Sequence, residues 1–191
     1  MSLQSLTITC RDHQWHDAFI DYVPKVFPRA SFRRWYGLGG WNEGYVAFSI
    51  ADGADIVASA SLQRMNIVLR GEWITGWQLG AVGVLPQWRG RGLQRQIMQR
   101  LLGSIDEKDI VFLFANDTVL EFYPLFGFKR AIESIFAAEF CVKPASEPLR
   151  ALSIDRAEDL ALLARVAAAA APTTRQFGRS EEHTSELQSP I

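Results

Sequence analysis

The stretch of this chain best suited to chemistry is Gln87-Trp88-Arg89-Gly90-Arg91-Gly92, which sets glycines among closely spaced arginines. Glycine lets a backbone tighten and present its N–H groups without interference from a Cβ. Immediately afterwards Leu93, Ile97, Leu101 and Leu102 fall on one face of a helix, so the turn opens that helix. Free N–H groups at a helix start, aided by the helix dipole, hold anions such as phosphate. The N–H groups of Arg89, Gly90, Arg91, Gly92 and Leu93 are therefore candidate phosphate ligands, with charge supplied by Arg89, Arg91 and Arg95.

Other chemistries fit less well. A dinucleotide fingerprint wants a third glycine where Arg95 stands, in a first strand–helix turn. Gly-Lys-Ser/Thr, which a P-loop requires, is absent. Trp88 among Arg89, Arg91, Arg95 and Arg100 resembles a stacking basic patch for nucleic acid, but a net charge of −1 gives no supporting field. His13 and His16 stand three apart with no third ligand in view, so no metal site is read. Cys10 and Cys141 show neither ligand spacing nor a disulfide framework and read as reduced thiols.

The elements that position the turn follow from periodicity and punctuation. Leu3 to Thr9 suits an opening strand, and Asp12 caps a helix carrying Trp15, Phe19, Tyr22, Val23 and Val26, which Pro24 and Pro28 kink or end. Ser31 to Tyr36 suits a short helix. Tyr45 to Ile50, Ile56 to Leu69 and Trp73 to Val84, separated by short turns, read as an antiparallel meander ending at the candidate turn. Beyond the helix, the apolar run Ile110 to Ala115 predicts a parallel strand buried on both faces, which completes a right-handed strand–helix–strand unit. Asn116 to Phe126 has helical spacing, with Gly127 closing it, and Phe128 to Val142 holds the last strands.

At 191 residues and 48% hydrophobic, the chain has ample material for a core. No apolar run approaches the roughly 20 residues of a membrane span, and no signal peptide opens the chain, so a cytoplasmic location is expected. Lys143 to Pro148 reads as a linker. Asp155-Arg156-Ala157-Glu158 then matches a capping box before an Ala- and Leu-rich helix ending at Pro172. The expected organisation is a domain over 1–142, a linker over 143–150 and the start of a truncated second domain over 151–178. From Arg179 the chain turns abruptly polar and resembles the in-frame translation of a sequencing adapter. Residues 179–191 are therefore expected to be a disordered artefact, with the natural chain continuing past Gly178.

The turn and the Tyr123 stretch together resemble the GCN5-related N-acetyltransferase (GNAT) family. Its acyl-CoA motif stands here as Gln87-Trp-Arg-Gly90-Arg-Gly92. Its second motif stands as Asn116-Asp-Thr-Val-Leu-Glu-Phe-Tyr123-Pro-Leu-Phe-Gly127-Phe128. The resemblance covers roughly Leu3 to Val142, and the fragment from Ala151 is similar to the start of another such domain, as in tandem acetyltransferases. It implies an α/β fold of the acyl-CoA N-acyltransferase type: a mixed central sheet splayed after its fourth strand, with helices on both faces. It implies an N-acetyltransferase that moves an acetyl group from acetyl-CoA to a primary amine by direct attack, with no metal.

In that scheme the edge of Val82, Gly83 and Val84 pairs with the pantetheine amides, and one of those N–H groups polarises the thioester carbonyl. Tyr123 is the general acid, a phenol near pKa 10 being a competent donor to a thiolate. Asn116 suits either a contact to CoA or a cap. The base is missing where many relatives place a Glu, since that strand offers Gln78, Gly80 and Val82. Glu43, Glu72, Asp117 and Glu121 are the nearest acids by motif. That gap keeps a second reading open, a catalytically degenerate acyl-CoA-binding or sensory domain. The acceptor, a small-molecule or peptide amine, is expected among Trp15, Trp35, Tyr36, Trp41, Trp73 and Trp77. Neither a nucleic acid nor a membrane is expected as a partner, and a homo-oligomer is left open.

Overall fold

The computed structural model describes residues 3–131, 150–169 and 177–179. Strands β1 (Leu3–Ile8), β2 (Tyr45–Asp52), β3 (Asp55–Leu69) and β4 (Glu72–Val84) pair antiparallel in succession, and β5 (Ile110–Phe112) runs parallel to β4. The meander follows from its tight connections. Between β3 and β4, Arg70 (φ 52°) and Gly71 (φ 88°) are both left-handed, the backbone that a two-residue hairpin turn demands.

Strand side chains alternate between faces, and that alternation places the helices. On β2, Tyr45 meets Phe19 of α1 (His16–Val26), with ring centroids 6.3 Å apart. Phe48, an odd number of residues on, meets the Arg100 guanidinium of α3 (Leu93–Leu102) at 5.9 Å. Helices α1 and α3 therefore cover opposite faces of the sheet. Phe19, Ile20, Tyr22 and Val23 are the buried stripe of α1; Leu93, Ile97, Met98 and Leu101 are that of α3. Pro24 lies inside α1, which continues only to Val26 beyond it. The short α2 (Phe32–Gly37) adds Trp35 to the α1 side of the core.

The region after α3 departs from its periodicity. Among the described residues, only Ile110–Phe112 of the apolar run pairs in the sheet, and Phe114 is 60% exposed, so the run is not buried on both faces. The helix expected over Asn116 to Phe126 is instead two short 3-10 turns, Asp117–Val119 and Tyr123–Phe126. Pro124 explains the break: without an N–H it suits the first turn of a new segment and not the interior of a continuing helix. Gly127 then closes the second turn at φ 87°. The strands expected up to Val142, the linker over Lys143 to Pro148, and Cys141 lie largely or wholly outside the described residues.

The later segment forms α4 (Ala157–Ala169). The capping box is not used as its spacing implied. Asp155 turns outward to an ion pair with Arg34, while the Ser153 hydroxyl accepts from the Asp155 N–H and Asp159 accepts from the Ser153 N–H. Both guanidinium nitrogens of Arg150 also donate to Asp159, and these contacts hold its carboxyl down at about 2. Strand β6 (Phe177–Arg179) pairs antiparallel with Leu69, Val68 and Ile67 of β3. Its place there has a simple origin: β2 leaves β3 at Gln63, so the far half of β3 has an edge free for pairing. Arg179, the residue at which the polar tail begins, is thus the last residue of that strand. Among the described residues, no helix is long and apolar enough to cross a membrane.

Candidate functional site

Strand β4 is paired on both edges only over part of its length. On one side β3 follows it to Val84, while on the other β5 pairs only Gly76, Trp77 and Gln78. Among the described residues, the edge of Leu79 to Val84 away from β3 has no strand partner. The two strands part beyond Gln78 and Phe112; at the other end of their pairing the Trp77 indole N–H donates to the Asp109 carboxylate at 2.8 Å, at the entry to β5.

This open stretch contains a bulge. Ser61 faces Gly80 and Ser59 faces Gly83, so Ala81 and Val82 share the span opposite Ala60. Ala81 takes the left-handed conformation, at φ 48°, which costs a residue with a Cβ about 1–2 kcal/mol. Helix α1 holds the strand beside it. A Cβ on Gly83 would lie 2.4 Å from Val26 Cγ1, so the helix rests directly on the strand backbone. From the same helix the Tyr22 hydroxyl donates to the Gly83 carbonyl at 2.6 Å. Tyr22 is only 1% exposed, and burial pushes its phenol well above the ordinary value, opposed in part by the Ser59 backbone amide.

Peptide geometry then fixes which backbone groups face the open edge. The Leu85 N–H donates to the Val57 carbonyl of β3 at 2.9 Å. In a trans peptide C=O and N–H point oppositely, so the Val84 carbonyl faces the open side, where Arg89 Nε donates to it at 3.3 Å. The Gly83 carbonyl is turned to Tyr22, so the Val84 N–H also faces the open side. Val84 thus presents both its N–H and its carbonyl to the edge, while the Gly83 carbonyl is already taken.

The turn beyond β4 begins with a 3-10 segment, Pro86–Trp88, whose Trp88 is buried. Gly90 and Gly92 follow at φ 74° and 75°, with open space where a Cβ would stand. Their backbone, and not crowding, calls for glycine. Arg91 lies over the Trp88 ring at 4.5 Å and donates to the Gln87 carbonyl, which folds it along the turn. Leu93 is buried and anchors the start of α3, whose first N–H groups lack intrahelical partners by construction of any α-helix.

Tyr123 begins the second 3-10 turn, half-buried and edge-on to Phe122 and Phe128 at 5.3 and 6.0 Å. It packs against the same core as Val82, Val84 and Leu113, and burial pushes its phenol above the ordinary value. Asn116 is exposed, and its Oδ1 accepts from both the Thr118 N–H and hydroxyl at 3.1 Å, so it caps its turn.

Several expected participants stand elsewhere. Glu72 opens β4 opposite Leu69, roughly 26 Å of strand from Gly80 at about 3.3 Å per residue. Glu43 faces Arg11 across 3.9 Å at the surface, and Asp117 and Glu121 are exposed. Trp35 and Trp41 do not line an open pocket: each is 6% exposed, and they pack on one another, on Tyr45 and on Phe19. Trp73 is 58% exposed at the far end of β4. His16 stacks on Trp41 and sits between the Tyr36 hydroxyl and the Thr9 carbonyl, a satisfied core histidine. Among the described residues no cluster could hold a metal ion. Tyr22 was read as helix-face core. The one signal of another role was its hydroxyl, since a buried tyrosine must find a partner for it.

A family model described as an acetyltransferase (GNAT) domain matches residues 13–131, more than half of the chain. No curated protein matches it. Among solved structures the chain is similar to a Trypanosoma brucei acetyltransferase (22% identity, TM-score 0.55), covering 73% of this chain and 100% of that one. It is similar to a predicted acetyltransferase from Clostridium acetobutylicum with acetyl-CoA (15%, TM-score 0.54; 72% and 96% covered). A third is an aminoglycoside acetyltransferase from an uncultured soil metagenomic sample, in complex with trehalose (17%, TM-score 0.56; 74% and 97%). At such identities the likeness is one of fold, a mixed sheet with helices on both faces.

Proposed function

The chain belongs to the GNAT acetyltransferase family, and we propose that within it the protein transfers an acetyl group from acetyl-CoA to a primary amine by direct attack, with Tyr123 as the general acid. One observation carries this reading: β4 keeps an edge that, among the described residues, has no strand partner and leads directly into a left-handed double-glycine turn and a helix start. An extended arm with amides needs such an edge, and a pyrophosphate needs such a turn. Acetyl-CoA supplies the activated thioester. Val82 and Val84 hold the pantetheine arm, with Gly83 contributing through its backbone alone. Arg89, Gly90, Arg91, Gly92 and Leu93 hold the pyrophosphate, with Asn116 near the cofactor as cap of its turn. The amine nitrogen bonds to the acyl carbon, the carbon–sulfur bond breaks, and the Tyr123 hydroxyl returns a proton to the thiolate. Burial keeps that hydroxyl protonated throughout the neutral range. The amine's proton leaves to water, as β4 offers Gln78, Gly80 and Val82 in place of a carboxylate.

The test is calorimetric titration with acetyl-CoA followed by thiol release across an amine panel. Amino sugars come first in that panel because one structural neighbour is an aminoglycoside acetyltransferase. Binding with thiol release from at least one amine is expected. Tight binding with no release from any amine would mark an acyl-CoA-binding or sensory domain, the reading that the missing carboxylate favours. The proposal places the catalytic domain over 1–142 and the start of a second unit from 151, docked through the Arg34–Asp155 ion pair. Limited proteolysis between 143 and 150 tests that division.

A further inference from the structure

We propose that Tyr22 is a positioning residue for the acyl donor: its hydroxyl, by holding the Gly83 carbonyl, sets the direction in which Val84 offers its N–H to the open edge of β4. This rests on the reading of that edge as the pantetheine site. The bulge spans Ala81 and Val82, and the ladder resumes at Ser59–Gly83. The plane joining Gly83 to Val84 is thus the first beyond the bulge. Tyr22 holds it with a hydrogen bond of 2.6 Å from a fully buried donor. Because that plane is rigid and trans, fixing its carbonyl on the β3 side fixes its N–H on the other. The packing is built for this approach. Val26 Cγ1, Phe27 Cζ and the Tyr22 oxygen would lie 2.4, 3.2 and 3.4 Å from a Cβ on Gly83. Glycine at 83 is thus what admits Val26 of α1 to the strand, which sets the helix close enough for the Tyr22 hydroxyl to reach the carbonyl.

Two ligands separate a positioning role from a merely structural one. Acetyl-CoA uses both edge and turn, whereas 3′-phosphoadenosine 5′-diphosphate keeps the pyrophosphate and lacks the pantetheine arm. Tyr22→Phe retains the ring, and leaving the buried Gly83 carbonyl unsatisfied is expected to weaken acetyl-CoA roughly tenfold. The diphosphate should change less than about twofold. Val26→Ala, which loosens α1 on β4 without touching the hydroxyl, should lower the melting temperature and leave both affinities unchanged. Equal weakening of both ligands by Tyr22→Phe, or unchanged acetyl-CoA affinity in a folded variant, overturns the role. If Tyr22→Phe does not fold, a fluorinated tyrosine at 22 serves instead. Acetyl-CoA affinity should then fall as that more acidic phenol ionises, and a flat profile through its titration overturns the role. Wild-type protein that binds the diphosphate but not acetyl-CoA refutes the edge as a pantetheine site before any variant is made.

Discussion

Arg89 reaches back over the end of β4 and donates from Nε to the Val84 carbonyl at 3.3 Å. The first arginine of the turn, though exposed, is therefore tied to the last residue of the open edge. It touches both parts of the proposed donor site. Arg89→Ala should weaken acetyl-CoA by roughly three- to tenfold, the range of one exposed charge-assisted contact. Titrations at low and high salt should show a shallower salt dependence than wild type; an unchanged slope would separate Arg89 from the phosphates.

Gly90 sits at φ 74° with nothing against the place where a Cβ would go. Gly90→Asp should cost the fold only about 1–2 kcal/mol, the left-handed penalty. Binding should suffer far more, because a carboxylate is set against a pyrophosphate. Acetyl-CoA affinity falling by roughly a hundredfold in a protein that still melts cooperatively is the expected result. Unchanged affinity would mean the pyrophosphate lies elsewhere.

Ala81 offers the opposite experiment. Glycine inside a strand ordinarily destabilises by about 0.5–1 kcal/mol. At φ 48° the relief of the left-handed strain outweighs that loss. Ala81→Gly should be neutral or stabilising by up to about 1 kcal/mol in urea unfolding, and Ala81→Val should destabilise. A glycine variant clearly less stable than wild type would show that the bulge is not strained.

Tyr123→Phe should lower kcat roughly a hundredfold, the scale of a lost general acid, with little change in acetyl-CoA affinity. The pH profile has a definite sign. Burial raises the phenol above its ordinary 10, so the donor form persists and no alkaline limb due to Tyr123 should appear below about pH 10. Full turnover in the phenylalanine variant would remove Tyr123 from the mechanism.

Alkaline stability should report the two buried phenols. Tyr22 and Tyr45 are both raised by burial from an ordinary 10.0, so above that pH the unfolded chain loses protons that the native state keeps. Their contribution is whole below about pH 10 and declines as pH rises beyond it, by roughly 1.4 kcal/mol per pH unit for each group. Urea midpoints from about pH 8 to pH 11 should stay level and then fall steeply. In Tyr45→Phe, which also breaks the 2.7 Å bond to Ser61, the slope above pH 10 should be shallower than that of wild type.

Much of the fold was legible because single elements carried strong signals. Gly71 between two β-rich runs, and Gly90 and Gly92 before the stripe Leu93, Ile97 and Leu101, have the chemistry their backbones need. Ala81 could not be read, since alanine gives no sign of a left-handed backbone; tertiary contacts impose it. The spacing of Val119, Phe122, Tyr123 and Phe126 looked helical because short 3-10 turns can place apolar groups at similar intervals, and Pro124 decided between them. Trp35 and Trp41 were expected around an acceptor because aromatics line sites and fill cores alike. Only packing shows that these fill a core.

The edge from Leu79 to Val84, which has no strand partner among the described residues, has a consequence for the protein as a solute. A bare row of strand N–H and C=O groups is ordinarily a template for a neighbouring chain, and long flat edges promote aggregation. Here the bulge at Ala81 and Val82 bends and twists the strand, while Arg89 covers the carbonyl at its end. A second straight strand would lose register within a few residues. The distortion that keeps the groove open thus also guards the molecule against pairing with its own copies.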